Sequence, residues 1–312
     1  MSAHPLSFFE RRLLFLKHRN RMLCTLIAAF SVCMILSGCS QSAESSAKGK
    51  KSAESSERIV ATTVAAAEIM DALEVDLVGV PTSQKSLPAR YKGLPEVGNP
   101  MSPDMEIIQS LQPTDVLSVT TLQYDLETPF QQAGVPATYL NLESMANMEK
   151  AITKLGEQYD RKKQAKRIVS DFEQKKKDIQ ERTKGKRKPS VLILLGVPGS
   201  YLVATENSYI GDLVRIAGGK NIVRGEKMEY LASNTEYLQK ANPDIILRAA
   251  HGMPDEVVRM FDEEFKTNDI WKHFNAVKQD RVYDLEESLF GTTGNLKAAD
   301  ALDELTRMLY PS

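Results

Sequence analysis

The chain has 312 residues, with 40 Lys and Arg against 41 Asp and Glu, a formal charge of −1 and 42% hydrophobic residues. That balance excludes a nucleic-acid binder that works through a net basic footprint, and the hydrophobic share excludes a wholly disordered chain, leaving room for one large core or two smaller ones. Cys24, Cys33 and Cys39 all precede the body, where His251 and His273 are the only imidazoles, so body disulfides, thiolate sites, catalytic triads and zinc triads are ruled out or left short of ligands.

Taken in chain order, Arg11, Arg12, Lys17, Arg19 and Arg21 precede an uncharged run from Met22 to Leu36. This is the pattern of a cleaved leader, shorter than the roughly 20 apolar residues of a membrane-spanning helix. Leu36-Ser37-Gly38-Cys39 resembles the lipobox of bacterial lipoproteins. The resemblance implies cleavage before Cys39, a diacylglycerol on its sulfur, and anchoring at the extracytoplasmic face of the cell membrane. Residues 40–57 are Ser, Ala, Lys, Glu, Gln and Gly with no large apolar side chain, which predicts a flexible tether.

From residue 58 short apolar runs alternate with amphipathic ones. Residues 58–63, 77–82, 116–121 and 138–141 are expected to be strands, and residues 64–74, 105–112 and 128–134 helices; this alternation predicts a mostly parallel sheet with crossover helices. Between Met148 and Thr183 the apolar positions Ile152, Leu155, Tyr159, Ile168, Val169, Phe172 and Ile179 follow helical spacing. A break is expected near Gly156 and Asp160, with Asp160 capping a second helix about 35 Å long. Its basic end, KGKRKP (184–189), reads as a solvated terminus. A second α/β pattern follows, with strands at 190–197, 201–205, 244–250 and 281–285 and helices at 208–217, 234–241, 255–265, 269–277 and 295–310.

The expected organisation is a lipoprotein signal peptide at 1–38, a lipidated Cys with its tether at 39–57, an N-terminal α/β lobe at 58–147, a helical segment with a long bridging helix at 148–187, and a C-terminal α/β lobe at 188–312. Residues 105–121 and 235–251 align without gaps, with Glu106 and Glu236 each seven residues before a proline, Pro113 and Pro243. Acidic residues are favoured at helix starts, which is the ordinary account of both.

The order of lipobox, tether, lobe, long helix and lobe, with DLVRIAGGKNIV (212–223) and the two Glu-to-Pro units, resembles the ABC-transporter substrate-binding proteins that handle siderophores, haem and cobalamin. The resemblance spans residue 58 to the end. It implies two α/β lobes with mostly parallel sheets joined by a single long backbone helix, a class III periplasmic-binding-protein-like fold. It also implies that one glutamate per lobe, here Glu106 and Glu236, docks on the ABC-transporter permease, with Glu68 a rival in the first lobe. VPTSQKSLPARY (80–91), GNPMSPDMEII (98–108), LSVTTLQYDL (117–126) and RAAHGMPDEVV (248–258) are similar to the haem-binding lipoproteins of Gram-positive iron-regulated surface determinant systems. What that implies is haem b (iron protoporphyrin IX) as transported ligand, Met101 and His251 on opposite faces of its iron, a cell-surface haem-donor protein, and a monomer.

His/Met is an established axial pair, and ligands bind at the carboxyl ends of strands in open α/β sheets, where His251 is expected. Each residue also has a plainer reading. Methionine usually fills a core, although Met101 lies between Pro100 and Ser102-Pro103, and Met105 and Met253 are its competitors. His251 could be an ordinary hydrogen-bonded histidine, and His273 reads as a helix-surface residue. For the propionates, a loop-to-helix entry offers backbone N–H groups, so Thr62, Thr63, Thr82 and Ser83 are the expected contacts, with Lys85 nearby. Tyr91, Tyr124 and Tyr209 are candidates to line the cleft. No nucleophile elbow, phosphate loop or dinucleotide fingerprint occurs, so the chain is not expected to be an enzyme. A ferric-siderophore or cobalamin receptor on the same scaffold is the alternative function.

Overall fold

A computed structural model describes residues 57–233, Leu238 and residues 242–311. Cys39 and Glu236 lie outside the described residues, as does most of the helix expected at 234–241. No helix among the described residues is long and apolar enough to cross a membrane.

The first lobe opens with β1 (Ile59–Ala61), fully buried, and α1 (Val64–Ala72), whose first turn is capped by the Thr63 hydroxyl oxygen accepting from Ala66 N at 3.2 Å. Residues 77–82 do not form the expected strand. They make only two isolated bridges, Val60 to Gly79 and Val80 to Glu96, before Pro81, which has no N–H for a ladder. A small hairpin follows, β2 (Gly98–Asn99) with β3 (Ser102–Pro103), then α2 (Met105–Ser110), capped by Asp104 on Glu106 N and Ile107 N. Next come β4 (Asp115–Val119), α3 (Gln123–Gln132) and β5 (Ala137–Leu140). The sheet order is β1-β4-β5, all parallel. Helix α3 starts five residues before the expected Thr128: Pro129 is not its first residue but lies inside it, and Leu126 and Phe130, four apart, bury one face.

Two helices then cross between the sheets. In α4 (Met145–Gln158) Ile152 and Leu155 are buried, and in α5 (Lys162–Thr183) Ala165, Phe172 and Ile179 form a single buried stripe at sevenfold spacing. The 22 residues of α5 extend about 33 Å. Asp160 does not cap it: Asp160 has φ +54° and Arg161 occupies the cap position without a side-chain bond to the first-turn N–H groups. Gly156 is required here, since a Cβ on it would lie 2.4 Å from Ala165 Cβ.

The second lobe contains β6 (Ser190–Val197), β7 (Ser200–Ala204), α6 (Tyr209–Ile216), β8 (Lys220–Asn221), β9 (Tyr230–Ala232), β10 (Ile245–Ala250), α7 (Pro254–Thr267), α8 (Asn275–Lys278), β11 (Val282–Leu285) and α9 (Ala298–Leu309). Strands β11, β10 and β6 are parallel, and β7 and β9 extend the sheet in antiparallel fashion. The AGGKN stretch ends α6 with Gly218 at φ +94°, a conformation glycine adopts without strain. Asn221 then locks the turn, donating to Ala204 O and accepting from Val223 N.

One buried cluster contains Ile59 and Leu117 from the first sheet, Ile152, Phe172 and Ile179 from the crossing helices, and Ile193 and Leu247 from the second sheet. The other face of each sheet has its own cover: Ile108, Leu126 and Phe130 in the first lobe, and Val257, Phe261, Trp271 and Phe274 in the second. Both sheets are covered on both faces, as parallel sheets require.

Candidate functional site

The carboxyl ends of the strands collect the expected site residues. In the first lobe Val97 N donates to Val80 O at 2.8 Å and Thr82 N to Gly98 O at 2.9 Å, which attaches the β2–β3 hairpin past the end of β1. Its two-residue tip is Pro100-Met101, with Gly98 at φ +91° and the Met101 N–H donating to Asn99 Oδ1 at 2.8 Å. The Met101 side chain is 69% exposed. By contrast Met105 packs against the core cluster of Val60, Val97 and Ile108, as filler.

In the second lobe His251 follows the last residue of β10, its N–H donating to Gly196 O on β6 at 2.9 Å. Gly252 and Met253 then take positive φ, and Pro254 starts α7. His251 is exposed, and Met253 beside it is exposed as well. His273 is exposed in a short 3₁₀ turn, Trp271–His273.

Glu287, which no sequence signal marked, approaches His251. Its carboxylate lies 3.9 Å from His251 Nδ1 and 3.2 Å from Lys85 Nζ, and its side chain is only 15% exposed. The Lys85–Glu287 pair joins a loop of the first lobe to a loop of the second. Burial holds the imidazole pKa below its ordinary value, with Glu287 opposing and Lys85 adding to the shift. Of the two ring nitrogens, Nδ1 lies on the Glu287 side.

The expected propionate contacts divide. Thr62 is buried, and both its N–H and its hydroxyl donate to Leu117 O, so it fixes the strand end. Thr63 caps α1, whose next N–H groups lack intrahelical partners. The Thr82 hydroxyl donates to Glu96 Oε2 at 2.8 Å, and Ser83 Oγ accepts from Lys85 N at 3.0 Å, which shapes the Lys85 loop. Two tyrosines do not line a cleft: Tyr91 is buried with its hydroxyl donating to Val75 O at 2.6 Å, and Tyr209 is buried in α6. Tyr124 is 95% exposed beyond the carboxyl end of β4. Glu106 is exposed in the first turn of α2, whereas Glu68 is partly buried near Lys297 and Lys85, with burial raising its pKa. A cavity of about 710 Å³ on the second lobe, lined by Tyr201, Met260, Glu264 and Asn268, contains none of the expected site residues.

The profile of the periplasmic binding protein family matches residues 59–289. The chain belongs to that family. Among its relatives, the high-affinity heme uptake system protein IsdE of Staphylococcus aureus strain Newman is 49% identical over 278 residues, covering 89% of this chain and 94% of that protein. The crystal structure of S. aureus IsdE complexed with heme superposes with a TM-score of 0.79 at 50% identity, covering 81% of this chain and 99% of that one. The crystal structure of an ABC-transporter substrate-binding protein from Listeria monocytogenes EGD-e gives a TM-score of 0.79 at 57% identity, covering 82% and 99%. The family fold, two sheets flanked by helices with a long helix between them, accounts for both lobes described above.

Proposed function

We propose that this chain is a haem receptor of an ABC transporter: a binding protein, not an enzyme, that takes haem b from a cell-surface donor and delivers it to a permease. One observation carries the reading. A thioether at the tip of a first-lobe hairpin and an imidazole at the end of a second-lobe strand are both left exposed at the carboxyl ends of the sheets. The heme in the IsdE crystal structure, at 50% identity, supports the same ligand here.

Iron in a porphyrin has two axial positions on opposite faces, and Met101 and His251, one per lobe, would take one each. The side chains fit such a guest. Met101 needs no rearrangement of a core, His251 is held neutral, and Tyr124 and Met253 add exposed apolar surface at the same end. The α1 amino end behind Thr63, with Thr82, Ser83 and Lys85, supplies donors and positive charge for the propionates. In this reading Cys39 carries the lipid anchor that keeps the protein on the extracytoplasmic face of the membrane, and Glu106 with Glu236 meets the permease. The protein acts as a monomer.

Haemin titration of the chain from residue 39, with Cys39→Ser, tests it. The expected result is saturable one-to-one binding with a low-spin spectrum, loss of the methionine-type charge-transfer band in Met101→Ala, and loss of low-spin character in His251→Ala. Met101→Ala should unfold within about 0.5 kcal/mol of the parent, because the side chain is exposed. No saturable Soret shift, or variants with unchanged spectra and affinity, would overturn the reading.

A further inference from the structure

Helix α5 has eight Lys and Arg against four Asp and Glu in a chain whose formal charge is −1. Its two halves differ. Near the carboxyl end Lys175 and Arg182 both pair with Asp303, and Lys176 pairs with Glu149 and Glu173. At the amino end Lys162, Lys163, Lys166 and Arg167 are exposed, and among the described residues none of them has an ion-pair partner. Arg161, at the cap position, donates to the backbone oxygens of Glu74 and Asp160. Residues 157–167 hold five cations against two anions, Glu157 and Asp160. Cations at a helix amino end oppose the helix dipole, and this turn has neither an acidic residue nor a side-chain cap. Glu74, which follows α1, meets this turn by accepting from Gln164 Nε2 at 2.9 Å, while the four exposed cations are left available for a role outside the fold.

The position of this corner is the second observation. The chain enters the body at Arg58, whose N–H donates to Thr114 Oγ1 at 2.9 Å and whose Nε donates to Leu111 O at 2.8 Å, at the amino ends of β1 and β4. Ile59, the next residue, pairs with Asp115 of β4, whose carboxylate accepts from the Tyr159 hydroxyl at 2.7 Å, and Tyr159 is two residues before Arg161. The chain therefore enters the body at the corner that carries these cations, at the end opposite Met101 and His251. The corner is also rigid: Arg161 N donates to Gly156 O at 2.7 Å, and Gly156 is packed against Ala165.

We propose that this corner is a membrane-contact surface, on which Lys162, Lys163, Lys166 and Arg167 rest against anionic lipid headgroups. The inference rests on the lipid anchor at Cys39. Residues 40–57 reach at most about 60 Å when fully extended, so an anchored body stays near the bilayer with this corner beside its attachment. Contact there turns the carboxyl ends of the sheets outward, toward a haem donor, and the segment is long enough for the body to turn over when it meets a permease.

The test is cosedimentation of the chain from residue 39, with Cys39→Ser, on phosphatidylcholine vesicles with and without phosphatidylglycerol. The described residues bury their own core, so this chain retains the folded body. Binding is expected only with phosphatidylglycerol, weakening as salt rises. At about five-fold per cation lost, Lys162→Glu, Lys163→Glu, Lys166→Glu combined should lower partitioning by at least about 100-fold, since each change also adds a negative charge. The reversal Arg224→Glu, Lys227→Glu, Lys266→Glu, at exposed cations of the second lobe, should leave it unchanged. Haemin titration of each variant checks that the body is intact. Absence of binding to anionic vesicles, or equal loss in both triple variants, overturns the proposal. Lipidation of Cys39 is read separately from the mass of the mature chain, so a failed anchor and a failed surface give different results.

Discussion

Glu287 is the residue that most changes the chemistry of His251. Its carboxylate, 3.9 Å from Nδ1, is beyond hydrogen-bond reach in this geometry but close enough to act on the ring's charge. Burial lowers the imidazole pKa below 6.5, Glu287 pulls it back up, and Lys85 lowers it further. The neutral ring is therefore the form present through neutral pH, and acid protonates it only below 6.5. In the ligand-free protein an NMR titration of His251 should give a midpoint below that of a free histidine, lower again in Glu287→Gln and higher in Lys85→Ala. Opposite movements would mean that the imidazole does not sense this pair. Of the candidate site, the sequence nominates His251 and Met101 because a resemblance points at them and because proline-flanked or strand-end positions are poor places for core residues. Glu287 was not legible: it lies 36 residues beyond His251 in an acidic loop with no distinguishing spacing.

At the scale of elements, the α4–α5 corner shows how a local signal can be right in kind and wrong in detail. Gly156 and Asp160 do mark the break, yet Asp160 adopts φ +54° instead of capping, and the glycine serves close packing against Ala165. Adding the Gly156→Ala methyl should destabilise the protein by about 2 kcal/mol through overpacking. The double variant Gly156→Ala, Ala165→Gly should recover part of that loss in chemical denaturation, since the two sites are in contact. No recovery would place the strain elsewhere. Tyr159 adds a polar lock at the same corner, its hydroxyl donating to buried Asp115 at 2.7 Å, while Gln158 Nε2 donates to the same carboxylate at 3.0 Å. Helix α3 begins earlier than expected and residues 77–82 form no strand, because packing overrode what local composition suggested at both places.

Across the whole molecule, the two lobes share one buried cluster and also bring acidic groups together. Glu143 accepts from Thr120 Oγ1 of the first lobe at 2.8 Å, and Glu229 of the second lobe keeps one carboxylate oxygen buried with no hydrogen-bond partner. Burial, with Glu143 nearby, pushes the Glu229 pKa up to about 7 from an ordinary 4.5. A carboxyl whose folded pKa is raised holds its proton more tightly in the folded state. Its contribution to stability is thus complete below 4.5 and is lost as pH rises through about 7. Glu229→Gln should flatten the pH dependence of unfolding in that window and unfold at higher temperature than the parent above it. An unchanged slope would show that Glu229 ionises normally in the fold.

Signals carried within a few neighbouring residues were enough, from the sequence alone, for the leader and lipobox pattern, the two α/β alternations, the long basic helix and the absence of catalytic motifs. Periodicity, charge runs and turn residues act over a turn of helix or a few strand positions, so they survive without the fold. Only the tertiary structure decided that Lys85 and Glu287 meet across the lobes beside His251, that Tyr91 is core, that Thr62 is used up on Leu117, and that the exposed cations at the amino end of α5 lie where the chain enters the body. Each of these depends on which distant segments pack together, and that is set by the burial of the shared core.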